Sequence, residues 1–425
     1  MTSTTPGTSP STQPGTSRWT LIALISTASF INYLDRGSLA VALPVISKEL
    51  GFDPIAQGFA LSAFFWTYTA MQIPMGRIVD RYDIKIVYAV CFALWSLSAA
   101  ATGLVTGLWT LIACRILLGI GESVYLPGGL KVISLHFTSR ETAWPASLFD
   151  MGTKVGLAIG TAIDVWLLVR YGWRSLFFRT GLFGLLWLIP WLVYYPSNRV
   201  VTPVKRRIEW GVLLKNRALL AICLGFFCWD YFWYFLISWL PTYLYTVRQM
   251  SMPNIALFGA LPFLIFAAAE ATGGWTARQM LRRGWSLSRV TKGFVAVGFA
   301  IGLLIIPAAI VESTAWSIGL LLAASLAGIG CGNLISFPKI CAREEEVALW
   351  TGIMNTAGNI GGVLAPLVTG FLIARTGSYV PAFLTVSGVL VVGILAYTLM
   401  VPSLDAEESA TAPVPGYPGP TPSTS

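Results

Sequence analysis

Asp35, Arg36, Arg115, Glu122, Asp150, Lys154, Asp164, Asp230 and Glu270 each sit inside a long apolar stretch of this 425-residue chain. A charged side chain in such a setting is costly, so each one implies a partner or a task. Asp35 and Arg36 are neighbours, about 100° apart around a helix, and cannot share a face. Arg36 can therefore point into a central cavity and meet an anion while Asp35 reaches a partner on another helix. Arg115 and Glu122 stand seven residues apart, two helical turns along one face and roughly 10 Å in distance. They are too far apart to neutralise each other, which leaves each for another partner, Asp35 in the case of Arg115. Desolvation and a nearby guanidinium act on a carboxyl's proton in opposite senses. That balance marks Asp35 and Glu122, with Arg115 beside them, as the proton-coupling group. The competing reading is a set of buried ion pairs that only locks the fold.

Other polar residues fall into pairs. Asp150 and Lys154 are four apart on one helix face, which reads first as a mutual ion pair. The sharper reading gives Lys154 a second substrate carboxylate, as in a diacid. Asn355 and Asn359 share a face by the same spacing, and with Tyr68 they would offer hydroxyl and amide groups to a polyhydroxylated solute. Asp164 is expected near the solvated outer end of its helix. Asp230 lies in the aromatic run 226–234, able to stack on a ring or line an interface. His136, the single histidine, reads as a helix-end residue.

The elements that must carry these groups are set by composition. The chain is 55% hydrophobic and 11% charged, less than half the ~25% charge of a soluble domain. Its apolar residues come in blocks, such as 87–108 and 181–195, near the ~20 residues that cross a ~30 Å hydrocarbon core. Backbone groups in lipid must be satisfied internally, so the blocks are helices; strand alternation of a membrane barrel is absent. The spacing predicts helices over 19–43, 56–77, 84–106, 108–133, 143–168, 175–195, 218–245, 255–277, 290–311, 314–338, 347–374 and 378–401. The six cysteines form no CxxC pair and read as small buried side chains rather than metal ligands or disulfides. No cofactor or metal is expected.

The organisation follows: a tail over 1–17, a six-helix bundle over 18–195, a polar linker over 196–217, a second six-helix bundle over 218–401, and a tail over 402–425. Both tails are rich in Pro, Ser and Thr, and the first lacks the basic region of a signal peptide. The net charge of +9 invites a nucleic-acid partner, but the basic residues sit in short loops between apolar blocks, where they set orientation. With both termini inside, the inner segments collect roughly nineteen Lys and Arg against about six outside. The expectation is a multi-pass protein of the cell membrane, monomeric, with both termini cytoplasmic. An echo supports two halves: 76–85 after the second helix and 274–283 after the eighth each run from a helix-end glycine into a basic loop.

These segments carry a resemblance. Gly76-x-x-x-Asp80-Arg81 resembles the loop signature of the major facilitator superfamily. Asn32-Tyr33-Leu34-Asp35-Arg36, the run from Ser62 to Pro74 with Tyr68, Arg115-x-x-x-Gly119 through Glu122, and Gly352-x-x-Asn355-x-x-Gly358-Asn359 resemble its anion:cation symporter branch, which includes sugar-acid transporters. The sequence departs from the pattern at Arg278, where an acid is usual, and in a more charged fifth helix and a short central loop. The resemblance implies two pseudo-symmetric six-helix bundles with a substrate site between them near the midplane. It implies Arg36, Tyr68 and Asn355 as substrate ligands, to which Asn359 and Lys154 are added by position, and repeats the coupling roles of Asp35 and Glu122. The Gly76, Asp80 and Arg81 loop is then a gate: Asp80 caps a neighbouring helix while Arg81 pairs with an acid and holds the halves shut.

The expected function is secondary transport: proton-coupled symport of a small organic anion, a hexuronate, aldonate or aldarate. A drug or metabolite exporter of the same fold is the alternative and would present an apolar aromatic cavity. A sodium-coupled importer differs only in its ion. A membrane enzyme or receptor would need a catalytic constellation or a soluble sensing domain, and the sequence offers neither.

Overall fold

The computed structural model describes residues 17–137, 143–197, 215–342 and 346–405. These residues are helical almost throughout, with no strand among them. The first helix, α1 (Arg18–Leu50), starts on Ser17, whose side chain accepts from the Trp19 amide, and stops on Gly51 in the left-handed region. Asp53 caps α2 (Pro54–Arg81) by accepting from the Ala56 amide at 2.7 Å. Asp83 caps α3 (Ile84–Leu104), and the Thr110 hydroxyl accepts the Gly107 amide at the start of α4 (Leu108–His136).

The next apolar stretch, Pro145–Tyr194, is 50 residues long. At 1.5 Å per residue it would extend ~75 Å, far beyond a ~30 Å core. It folds back at Gly172, whose φ of 78° breaks the helix, and so supplies two crossings, α5 (143–171) and α6 (173–194). The second half follows with α7 (Arg217–Thr246), α8 (Met252–Arg282), α9 (Leu287–Ile310), α10 (Thr314–Cys341), α11 (Val347–Thr376) and α12 (Val380–Met400). Asn216 caps α7, and Gly377 ends α11 in the left-handed region. Nine segments are apolar and long enough to span a bilayer by composition alone. The fold at Gly172 divides one of them, and the more polar α1 and α2 complete the twelve. An even number of crossings puts the start of α1 and the end of α12 at one face, the terminal face; Pro54 lies at the opposite face.

Of the expected tails and linker, most residues lie outside the described ones. Those that are described are tied down. Asp405, past the end of α12, accepts from the Ser286 hydroxyl at 2.6 Å and the Ser288 amide at 3.1 Å. These bonds hold its carboxyl below the usual carboxylate range, so the anchorage is intact at neutral pH and lost as acid protonates it.

Within the first half the helices approach closely because glycines on one helix admit the backbone of its neighbour. On α5, Gly152, Gly156 and Gly160 form a stripe with spacing of four; a Cβ on them would stand 2.6 Å from the Ser26 carbonyl oxygen, 2.5 Å from that of Phe30 and 3.0 Å from the Leu34 Cα. Gly119 seats α4 on α2, its Cβ position 2.3 Å from the Phe64 carbonyl oxygen.

Between the halves, α2 meets α11, α5 meets α8 and α1 meets α7. The fit of α2 to α11 is tight at the Pro54 face. A Cβ on Gly58 would be 2.8 Å from the Pro366 carbonyl oxygen, one on Gly370 would be 2.3 Å from that of Pro54, and Ser62 donates to the Val363 carbonyl oxygen at 2.9 Å. Toward the terminal face the same helices separate: nothing stands within 4 Å of a Cβ built on Gly76 or Gly352. The two halves are thus closed over the Pro54 face.

Candidate functional site

Arg36 lies where α1 meets α7, its side chain 4% exposed, between the two halves. Its Nε donates to Oε2 of Glu122 at 2.9 Å, linking α1 to α4, and Glu122 is wholly buried. The guanidinium carbon lies 4.4 Å from the ring centre of Tyr68, 4.7 Å from that of Tyr33 and 4.9 Å from that of Phe64. Electron-rich faces hold a desolvated cation well, so three rings and one carboxylate fix it. Its second arm is unused: Nη2 of Arg36 and Oε1 of Glu122 are buried with no hydrogen-bond partner among the described residues. A guanidinium with Nη2 open has the geometry to accept a second carboxylate.

The expected partners are exchanged relative to the sequence reading. Glu122 goes to Arg36, while Asp35 and Arg115 form no ion pair. Asp35 accepts from the Trp95 indole nitrogen at 3.1 Å, with its other oxygen unpartnered. Arg115 donates to the Thr102 hydroxyl at 3.1 Å and packs over Phe177, leaving its Nε without a partner. Arg115 and Arg36, the latter bonded to Glu122, border one cavity with Leu61, Phe65, Tyr234 and Ser238. That cavity measures about 30 Å³, room for a water or two rather than a substrate. The larger void, about 630 Å³, lies elsewhere, between α1, α5 and α6, and its walls are mostly apolar, with Arg179 and Thr180 among them. The small central cavity, bordered by Arg36 and Arg115, is the candidate site.

From the second half, Asn359 bonds back to Asn355, its Nδ2 donating to the Asn355 side-chain oxygen at 2.9 Å and to the backbone oxygen at 2.8 Å. The Tyr234 hydroxyl donates to its Oδ1 at 3.1 Å. Asn359 is therefore occupied within the protein, and Asn355, half-buried, is the member nearer the opening. Tyr68 stacks on Phe64 at 5.2 Å, and Phe65 closes edge-on against Tyr234 at 4.4 Å across the halves. These contacts bring Arg36, Tyr68, Asn355 and Asn359 to the interface of the halves.

Lys154 stands apart from that cluster. It pairs with Asp150 on its own helix and with Glu270 of α8 at 3.4 Å, so it ties the halves together. The mutual pair read from the spacing of Asp150 and Lys154 is present; the crossing to Glu270 is the part the sequence concealed. Asp164 is wholly buried, not solvated as expected, because it continues the Gly152–Gly160 stripe into the α1 contact, where its Oδ2 lies 3.0 Å from the Ser38 hydroxyl oxygen. In the loop, Asp80 accepts from Lys131 of its own half at 2.8 Å, the helix cap expected of it falls to Asp83, and Arg81 is exposed. Gly76 faces open space. The gate across the halves at this face is not engaged here, in keeping with the separation of α2 and α11. His136 ends α4, its Nδ1 2.9 Å from the Val132 carbonyl oxygen.

Trp95 and Thr102 join the candidate site and were not singled out from sequence, since each sits in a run that reads simply as membrane-helix filler and only the packing shows which polar tip turns inward. Tyr234 ends the aromatic run 226–234, whose reading as an interface lining fits its contacts with Phe65 and Asn359.

A twelve-helix membrane protein in two halves, closed at one face around a buried arginine–glutamate pair, is a transporter built for alternating access. The chain belongs to the Major Facilitator Superfamily, whose family model matches residues 25–342. It is similar to the D-galactonate transporter of Escherichia coli O6:H1, 28% identical over 92% of this chain and 96% of that protein. It is also similar to the probable L-galactonate transporter of Escherichia coli K12, 30% identical over 90% of this chain and 89% of that one. Among solved structures, a bacterial homologue of the human lysosomal transporter Spinster, inward-facing and unoccupied, superposes with a TM-score of 0.78 at 17% identity, covering 94% of this chain and 99% of that one.

Proposed function

We propose that this chain imports a small organic anion, a sugar acid of the aldonate, aldarate or hexuronate class, in symport with protons, with both termini in the cytoplasm. The observation that carries the reading is the Arg36–Glu122 pair, one arm of the guanidinium engaged and the other open at the interface of the halves. Names of the relatives, transporters of galactonate among them, support the substrate class.

The geometry supplies a coupling rule. While Glu122 is ionised it neutralises Arg36, and an incoming carboxylate must compete with it. Protonation of Glu122 removes that competitor and leaves the guanidinium for the substrate, so one anion and one proton enter together and the buried charge stays balanced. Proton and anion each favour the other's binding, as linkage requires. Asp35, held by Trp95 and facing no ion pair, is a second carrier in the same centre. Tyr68 and Asn355 offer hydrogen bonds to substrate hydroxyls once the central cavity widens. With the Pro54 face closed, that widening opens to the terminal face, the cytoplasm in this orientation, which the loop charges favour.

An exporter of apolar compounds would have no use for two buried guanidinium groups at its centre. The test is uptake into proteoliposomes under an inward proton gradient, with galactonate, glucuronate, galacturonate, glucarate, neutral sugars and cationic drugs. Accumulation of one acid, collapsed by a protonophore, is expected; transport of apolar cations with no acid moving would refute the reading.

A further inference from the structure

We propose that Asp164 is a proton-binding site: in this conformation its carboxyl is protonated and donates through Oδ2 to the Ser38 hydroxyl, fastening α5 to α1. The role lies beyond the exchange at Arg36 and does not depend on what the protein carries.

A proton on Asp164 would give each neighbour of the Ser38 hydroxyl its own bond. Ser38 Oγ lies 3.0 Å from the Leu34 carbonyl oxygen and 3.0 Å from Asp164 Oδ2. A serine hydroxyl has one hydrogen and two lone pairs. Were Asp164 ionised, it and the Leu34 carbonyl would share that single hydrogen in one three-centre bond. With the proton on Asp164, both contacts are bonds: Oδ2–H donates to Ser38 Oγ, and Ser38 donates to Leu34.

The surroundings agree. Asp164 and Ser38 are 0% and 1% exposed, and Oδ1 of Asp164 has no hydrogen-bond partner. No Lys or Arg stands within ion-pair distance of Asp164 among the described residues. An isolated carboxylate in such a place is far more costly than the neutral acid. Around it, α5 itself contributes no charge within reach, α8 contributes the small Gly259 against Thr161 one turn before it, and α1 contributes Asp35, which is three residues from Ser38 and within electrostatic reach.

Infrared difference spectroscopy of the purified full chain in lipid at neutral pH tests this. Subtracting the Asp164→Asn spectrum from wild type should isolate one protonated-carboxyl C=O band, and Ser38→Ala should move that band to higher frequency by removing its acceptor. Loss of ionised-carboxylate bands in Asp164→Asn, with the C=O region unchanged, would overturn the assignment. Should Asp164→Asn fail to fold, Ser38→Ala decides alone: a shifted C=O band upholds the proton on Asp164 and an unmoved one refutes it.

Discussion

At the scale of single residues, the account rests on Arg36 having two claimants. Arg36→Ala should lower anion affinity on the order of a hundredfold or more, since it removes a buried charged partner worth about 2–5 kcal/mol. It should also destabilise the protein by about 3–5 kcal/mol, because wholly buried Glu122 is left uncompensated. Adding Glu122→Gln should recover most of that stability without restoring binding; ligand titration and thermal unfolding of the two variants separate the effects. Much of this centre was legible in the sequence: a charged residue in a membrane helix announces itself, and Arg36, Glu122, Asp35 and Arg115 were all identified that way. Their pairing was not. Seven-residue spacing fixes two side chains on one face, but which residue of α1 meets Glu122 depends on the rotation of α1, set by contacts such as the α5 glycine stripe.

At the scale of helices, the twelve blocks were readable from hydropathy, and the observed elements agree with them to within several residues at most ends. The clearest difference is at α1, expected to stop at 43 before Pro44 but continuous to Leu50. Pro44 removes one backbone hydrogen bond without ending the helix, and the true stop is Gly51, a residue free to adopt positive φ. Asp164 was misplaced for a related reason: distance from a helix end does not tell which side of the helix faces a neighbour. Lys154 illustrates the opposite case, where an i, i+4 pair was legible but its link to Glu270 of the other half was not. Lys154→Ala should therefore cost more stability than the paired change Lys154→Met with Glu270→Gln, because the single change strands Glu270. Thermal unfolding of the set checks this, and equal losses would mean that the link is weak.

At the scale of the whole molecule, the closed Pro54 face is a packing event. Gly58 abuts the backbone carbonyl of Pro366, an atom that cannot step aside. Gly58→Val should wedge α2 from α11 and move the population toward opening at that face. A cysteine placed at Leu61, inside the closure, should then be modified several-fold faster by a membrane-impermeant maleimide than in the Gly58 parent; equal rates would show that the halves do not separate there. Two-fold organisation was evident from the repeated glycine-to-basic loops, whereas the conformational state was invisible in the sequence, since one sequence must support every state of the cycle.

In the proposed cycle Glu122 gives up Arg36 by taking a proton. The most direct measurement is calorimetric titration of a sugar acid that the transporter accumulates, in buffers of differing ionisation heat, on wild type and Glu122→Gln. Wild type should take up protons with the anion and bind it more weakly as pH rises. Glu122→Gln should take up one proton fewer per anion and bind with a flatter pH dependence. Identical proton counts and pH profiles in the two proteins would contradict it.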